Sequence, residues 1–147
     1  MKGVLFLAMG CVFYRIGSVA LGDIDGLGRR MPWTMAAFVI GGLSLIGIPL
    51  TAGFVSKFYL ILAAWDKDWW WLAGLIVLSS LLAIIYVWRI IEVAYLRDPP
   101  EGAEMKEAPL SLLIPAWVLA LANIYFGITT EFPLGLARDA AAATAQT

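Results

Sequence analysis

The fold of this chain is decided by the stretch Gly47-Ile48-Pro49-Leu50-Thr51-Ala52-Gly53, which lies inside an apolar segment spanning residues 32–65. A straight helix over residues 33–65 would measure about 48 Å, far more than a hydrocarbon core of about 30 Å requires. Pro49 removes a helical hydrogen-bond donor, and glycines tolerate non-helical backbone. The sequence therefore predicts two half-helices joined by an irregular turn, with one kinked, tilted helix as the alternative. The candidate turn residues are Gly47, Pro49, Thr51 and Gly53.

The composition is that of a membrane protein. Of the 147 residues, 62% are hydrophobic and only 14% are charged, and the mean hydropathy is +0.86. Further apolar segments cover residues 3–21, 69–96 and 109–130, and none alternates as a membrane β-strand does. A spanning segment must satisfy its backbone internally. We predict an all-α, polytopic bundle of about four spans over residues 1–131, the second span being broken, and a short tail over residues 132–147.

Several kinds of site are excluded by the residue content. A net charge of -1 leaves no basic stripe for nucleic acid. One cysteine, Cys11, and no histidine rule out a disulfide framework and a thiolate or imidazole metal site. Glycine-rich dinucleotide or phosphate-binding motifs are also missing from the sequence. We therefore expect this chain to hold no cofactor and no metal.

The charged residues predict an orientation in the membrane. If the helices alternate in direction, the connections at residues 15–31 and 97–108 share one side. Under the positive-inside rule that side is cytoplasmic, and the C-terminus faces the opposite compartment across the cell inner membrane. The basic residues behind this assignment are Arg15, Arg29, Arg30, Arg97 and Lys106, against Lys67 and Arg138 on the other side.

Lys57 is the one charged residue between Trp33 and Trp65. It lies eight residues before Trp65, which places it about 12 Å deep if Trp65 marks the membrane interface. A lone ammonium at membrane depth is costly and usually belongs to an ion or proton pathway. Because desolvation disfavours the charged amine, such a lysine can accept and release protons. Lys57 is therefore the leading candidate for a proton relay.

The other polar residues of the apolar segments have structural alternatives. Arg89 and Glu92 can pair on one helix face, and we favour a structural pair near the interface over a pair in the core. Asn123 is a candidate for an interhelical hydrogen bond. Hydroxyl groups in membrane helices either line polar channels or, more commonly, support helix packing. This group comprises Ser44, Thr51, Ser56, Ser79 and Ser80.

Three stretches in order, residues 2–10, 23–32 and 42–57, resemble the antiporter-like proton-translocating membrane subunits. This family joins the antiporter-like subunits of respiratory complex I, the large subunits of Mrp-type sodium/proton antiporters and related membrane hydrogenases. Residues 87–95, which read Val-Trp-Arg-Ile-Ile-Glu-Val-Ala-Tyr, are most similar to the branch formed by the D-type subunits of Mrp antiporters. The resemblance covers about residues 1–97.

The resemblance implies roles for particular residues. Lys2 falls on a lysine that lies mid-membrane in the family's proton pathway, whereas by itself it would be an ordinary positive charge at the membrane surface. Lys57 falls on the lysine that ends the second half-channel, and residues 49–53 fall on the broken-helix turn. Because family members have about fourteen helices in two inverted repeats, the resemblance implies that this chain is a C-terminal fragment.

Three functions remain open on this basis. The first is a subunit of a multisubunit Mrp-type antiporter that exchanges protons for a monovalent cation such as Na⁺. The second is a proton-pumping, antiporter-like subunit of an NADH:quinone oxidoreductase or membrane hydrogenase. The third is a nonfunctional or purely structural truncated fragment. The implied partners are other subunits of such a complex, membrane lipid and the transported ions, and we do not expect enzymatic activity from the chain alone.

Overall fold

A computed structural model of the chain describes residues 1–98 and 106–130, together with Gly135 and Ala143. The regular elements in these residues are all α-helices, so the predicted all-α class is confirmed. The predicted tail, including Arg138, lies outside the described residues except for those two positions, as do residues 99–105. The helices are α1 (Lys2–Ile16), α2 (Leu27–Arg30), α3 (Pro32–Ile46), α4 (Ala52–Asp66), α5 (Trp70–Leu96) and α6 (Leu110–Ile128).

The predicted break is present between α3 and α4. Helix α3 ends at Gly47, which adopts a left-handed conformation with φ of 94° and donates its N–H to the Leu43 carbonyl. Helix α4 begins after Thr51, whose Oγ1 accepts from the N–H of Phe54 and donates to the Ile48 carbonyl at 2.7 Å. Thr51 is thus the N-cap of α4. The two half-helices are separate elements, and the alternative of one kinked helix is excluded.

Two of the helices are long and apolar enough to cross a membrane. These are α5, with 27 residues, and α6, with 19 residues, whose most apolar 18-residue stretches have mean hydropathies of 2.2 and 1.8. Helix α3 is apolar but shorter. Because α1, α3 and α4 have 15 residues each, each of them measures about 22 Å, which is less than a core of about 30 Å.

Helix α3 is the centre of the bundle. It packs against α1, α4, α5 and α6, and the short α2 lies against both α3 and α5. On its buried face, Met35 and Phe38 join buried residues of α1 and α5, and Ala37 joins buried residues of α1 and α6. By contrast, only 11% of the most apolar 18-residue stretch of α5 is buried. Most of that helix surface is therefore left for lipid or for other membrane helices.

Polar contacts join the two connections at one end of the bundle. The Glu107 carboxylate accepts from the backbone N–H of Trp33 at 2.7 Å and from the hydroxyl of Thr34 at 2.9 Å, so it caps the first turn of α3. Arg15, at the end of α1, donates to the Glu107 carbonyl at 2.9 Å. Arg97 of the second connection pairs with Asp25 of the first at 3.4 Å. The two connections therefore lie on the same side of the bundle, as the sequence predicted.

We expect Gly53→Ala to lower the free energy of unfolding by about 1–3 kcal/mol, as overpacking does in a tight core. A Cβ at Gly53 would overlap the carbonyl oxygen of Ser44, because α4 starts directly against the end of α3. Gly10→Ala is the matched control, since a Cβ there has nothing within 4 Å. The measurement is thermal or chemical unfolding of the full-length protein in detergent. Equal stability of the two variants would contradict the described approach of the half-helices.

Candidate functional site

The Lys57 ammonium closes the break between the half-helices. Its Nζ donates to the carbonyl of Leu45 at 2.7 Å and to the carbonyl of Ile46 at 3.1 Å. Both belong to the last turn of α3, whose carbonyls lack intrahelical partners. The negative end of the α3 dipole also lies there, and it favours a cation. Lys57, on the second turn of α4, therefore caps the C-terminus of the preceding half-helix.

A third acceptor comes from α5. Lys57 Nζ donates to the Ser80 hydroxyl at 2.7 Å, and Ser80 donates to the Ile76 carbonyl at 3.2 Å. An ammonium has three N–H donors, so these three acceptors satisfy it completely. The sequence predicted a role for Lys57 but did not identify its partners. Two of them are backbone carbonyls, which every residue has, and Ser80 could not be distinguished from its neighbour Ser79.

Neutral groups, rather than a carboxylate, surround Lys57. Across residues 1–98 and 106–130 the salt bridges are Arg29–Asp98, Arg89–Glu92 and Arg97–Asp25, and Lys57 takes part in none of them. Loss of its proton would therefore leave no partner charge unpaired. The site is chemically suited to a group that changes between the charged and the neutral amine.

An apolar cleft of about 190 Å³ opens onto Lys57 between α4 and α5. Phe54, Phe58 and Ile61 form its wall on α4, and Ile76 and Val77 form its wall on α5. Lys57 and Ser80 are its polar members. The cleft is large enough for several water molecules beside the ammonium.

A second polar cluster joins α3, α4 and α6 on the other side of the break. The Ser44 hydroxyl donates to Asn123 Oδ1 at 3.0 Å and accepts from the backbone N–H of Gly53 at 3.2 Å. Ser44 and Asn123 are both buried. This bond between α3 and α6 confirms the interhelical role predicted for Asn123, and Ser44 also satisfies an N–H in the first turn of α4.

Lys2 and the Arg89–Glu92 pair are not hydrogen-bond partners of Lys57. Lys2 is the first residue of α1, and its side chain is exposed. This end of α1 lies beside the break, because Gly3 lines a cleft together with Ala52 and Asn123. Arg89 and Glu92 form the expected ion pair at 3.2 Å on an exposed face of α5. Nine residues separate Arg89 from Ser80, or about 14 Å along the helix, so the pair is not part of the Lys57 site.

No group of three histidine, cysteine, aspartate or glutamate side chains that could hold a metal occurs in the part of the chain that the structure describes. The expectation that the chain binds no metal and no cofactor stays a prediction.

Comparisons with known proteins identify relatives of this chain. The family model described as NADH:quinone oxidoreductase/Mrp antiporter, TM, matches residues 1–83. NADH-quinone oxidoreductase subunit N of Desulforudis audaxviator (strain MP104C) is 38% identical over 143 residues, covering 88% of this chain and 28% of the relative. F(420)H(2) dehydrogenase subunit L of Methanosarcina mazei is 31% identical over 140 residues, covering 88% of this chain and 21% of the relative.

Two solved structures share the fold. A chain of the Mrp complex from Dietzia sp. DQ12-45-1b superposes with a TM-score of 0.82 at 26% identity, covering 90% of this chain and 33% of that one. A chain of the membrane-bound sulfane sulfur reductase, an archaeal respiratory membrane complex, superposes with a TM-score of 0.78 at 33% identity, covering 86% and 21%. This chain spans less than a third of the length of the two curated relatives.

We expect Ser80→Ala to lower the free energy of unfolding by about 1.5–3 kcal/mol, because the ammonium loses one of its three acceptors. Ser79→Ala is the matched control. Ser79 donates to the same Ile76 carbonyl at 2.7 Å but does not contact Lys57, so its change should stay within about 0.5 kcal/mol. The measurement is denaturant unfolding of the full-length protein. A larger effect at Ser79 than at Ser80 would refute the described lysine contact.

Proposed function

The chain belongs to the NADH:quinone oxidoreductase/Mrp antiporter family of membrane subunits, and from this premise we propose that it is part of a proton-translocating subunit in a redox-driven, complex I-type assembly. The observation that carries the proposal is the Lys57 ammonium, which is held by three neutral acceptors at a helix break. The redox reaction itself would take place on other subunits.

The choice of a redox-driven complex over a cation antiporter rests on the relatives. The curated relatives named above are subunits of an NADH-quinone oxidoreductase and of an F(420)H(2) dehydrogenase, at 38% and 31% identity. The chain from the Mrp complex is 26% identical. Residues 87–95 favoured the Mrp branch, but identity over most of the chain outweighs one short stretch. The Mrp-type antiporter, exchanging protons for a cation such as Na⁺, is the second candidate.

The neutral acceptors and the cleft beside Lys57 support the proposed proton transfer at this residue. The ammonium gives a proton to a water molecule in the cleft between α4 and α5, and the neutral amine later accepts a proton from another water molecule. While Lys57 is neutral, the last carbonyls of α3 lose their cationic cap. The hydrogen bonding at the break therefore depends on whether Lys57 is protonated. Lys2, beside the break at the start of α1, is the proposed central relay in the same pathway.

The proposed membrane arrangement has four crossings. Helices α5 and α6 each provide one crossing, and α3 and α4 together provide another. Helix α1, which is shorter than the core, provides part of the fourth. The connections at residues 15–31 and 97–108 face the cytoplasm, as their basic residues favour. The exposed apolar faces of α4 and α5 would be covered by lipid and by other helices of the complex.

We expect Lys57→Ala to abolish proton translocation or to reduce it at least tenfold while the complex still assembles. The variant removes the group that changes protonation. Lys67→Ala is the control, because Lys67 lies on the exposed link after α4 and should leave translocation unchanged. The measurement is proton uptake by vesicles that contain the full-length subunit in its complex. Normal proton uptake by the Lys57→Ala variant would contradict the proposed relay and favour a purely structural role for Lys57.

The driving reaction is testable in the same vesicles. We expect proton uptake to start when an electron donor and a quinone are supplied and to stop when electron transfer is inhibited. A sodium gradient without an electron donor should drive no proton flux. The opposite pattern would replace the redox-driven assignment by the Mrp-type antiporter and would leave the role of Lys57 intact.

A further inference from the structure

Asn123 of α6 has a polar group that finds no partner among the described residues. Its side chain is 6% exposed, and its Oδ1 accepts from Ser44. Its Nδ2 is buried and has no hydrogen-bond partner. A buried amide donor without a partner is costly, so native structures nearly always supply one from the protein or from ordered water.

The space for such a partner lies next to Asn123. A cleft of about 290 Å³ between α1, α4 and α6 has Asn123 in its wall and Ala52, the first residue of α4, opposite. Leu119 and Phe126 lie one helical turn on either side of Asn123 and line the same cleft. Both side chains are exposed, so a change of rotamer in either can open the cleft to the amide nitrogen.

We propose that this cleft binds an ordered water molecule that is hydrogen-bonded to the Asn123 amide. Water fits because it both donates and accepts, and it therefore pairs with either amide atom, whichever is turned toward the cleft. At the start of α4 the N–H groups of Gly53 and Phe54 are already bound to Ser44 and Thr51, so the donor that remains for a water oxygen is the N–H of Ala52. The other lining side chains are apolar.

This water site is separate from Lys57. Lys57 contacts α5 across one cleft, whereas Asn123 faces α1 and the start of α4 across another. The water extends the cluster of Ser44, Asn123 and Gly53 to the start of α1. The inference stands independently of the proposed proton relay, since it rests on an unpaired amide and not on transport.

The test is a high-resolution structure of the full-length protein in its complex, in lipid nanodiscs. In the wild type we expect density for water within hydrogen-bond distance of the Asn123 amide. Asn123→Leu keeps the branched shape of the side chain and removes the amide, so this density should be lost. Leu119→Ile, which changes the same wall of the cleft but keeps the amide, should retain it.

Three outcomes of the wild-type structure would overturn the inference. One is a dry cleft, and another is a lipid tail or a side chain of a neighbouring helix that fills it. The third is an anion, which would be detected by replacing chloride with bromide and observing anomalous signal at the site. The wild-type map decides among these even if Asn123→Leu fails to assemble.

Discussion

Every part of this structure depends on one constraint, which is that a helix interrupted inside a membrane must still satisfy its backbone. The break leaves carbonyls free at the end of α3 and N–H groups free at the start of α4. Side chains provide the missing partners. Lys57 covers the carbonyls of α3, and Ser44 and Thr51 each accept an N–H of α4. Within residues 32–65 the one charged side chain, Lys57, and the buried hydroxyl groups of Ser44 and Thr51 are therefore all located at the break.

Tight packing brings these partners within reach. Gly53 lets the start of α4 lie against the carbonyl of Ser44, and Gly127 lets α6 approach the backbone of Leu50 and Thr51. Helix α6 thereby supports the turn from one side, while α5 supports it from the other through Ser80. Small residues serve this purpose in membranes because lipid provides no hydrophobic force to press helices together. The geometry of the Lys57 site is thus set by α3, α4 and α5, and α6 supports the adjoining turn.

The break and its lysine could be predicted from sequence because both depend on local signals. Segment length, Pro49 and one charge in an apolar run needed no knowledge of the tertiary arrangement. The partners of Lys57 could not be predicted. Ser79 and Ser80 are adjacent in the sequence, and only the rotation of α5 decides which of them faces α4. The capping of α3 by Glu107 could not be predicted either, because it joins residues 74 positions apart.

The neutral surroundings of Lys57 have an electrical consequence. With no carboxylate beside it, each proton that enters or leaves the amine changes the net charge of the bundle at that depth. Moving one charge across the whole membrane is worth about 2.3 kcal/mol per 100 mV, so a charge that moves halfway does about 1.1 kcal/mol of electrical work. In the proposed relay, proton occupancy of Lys57 would therefore respond to the membrane potential.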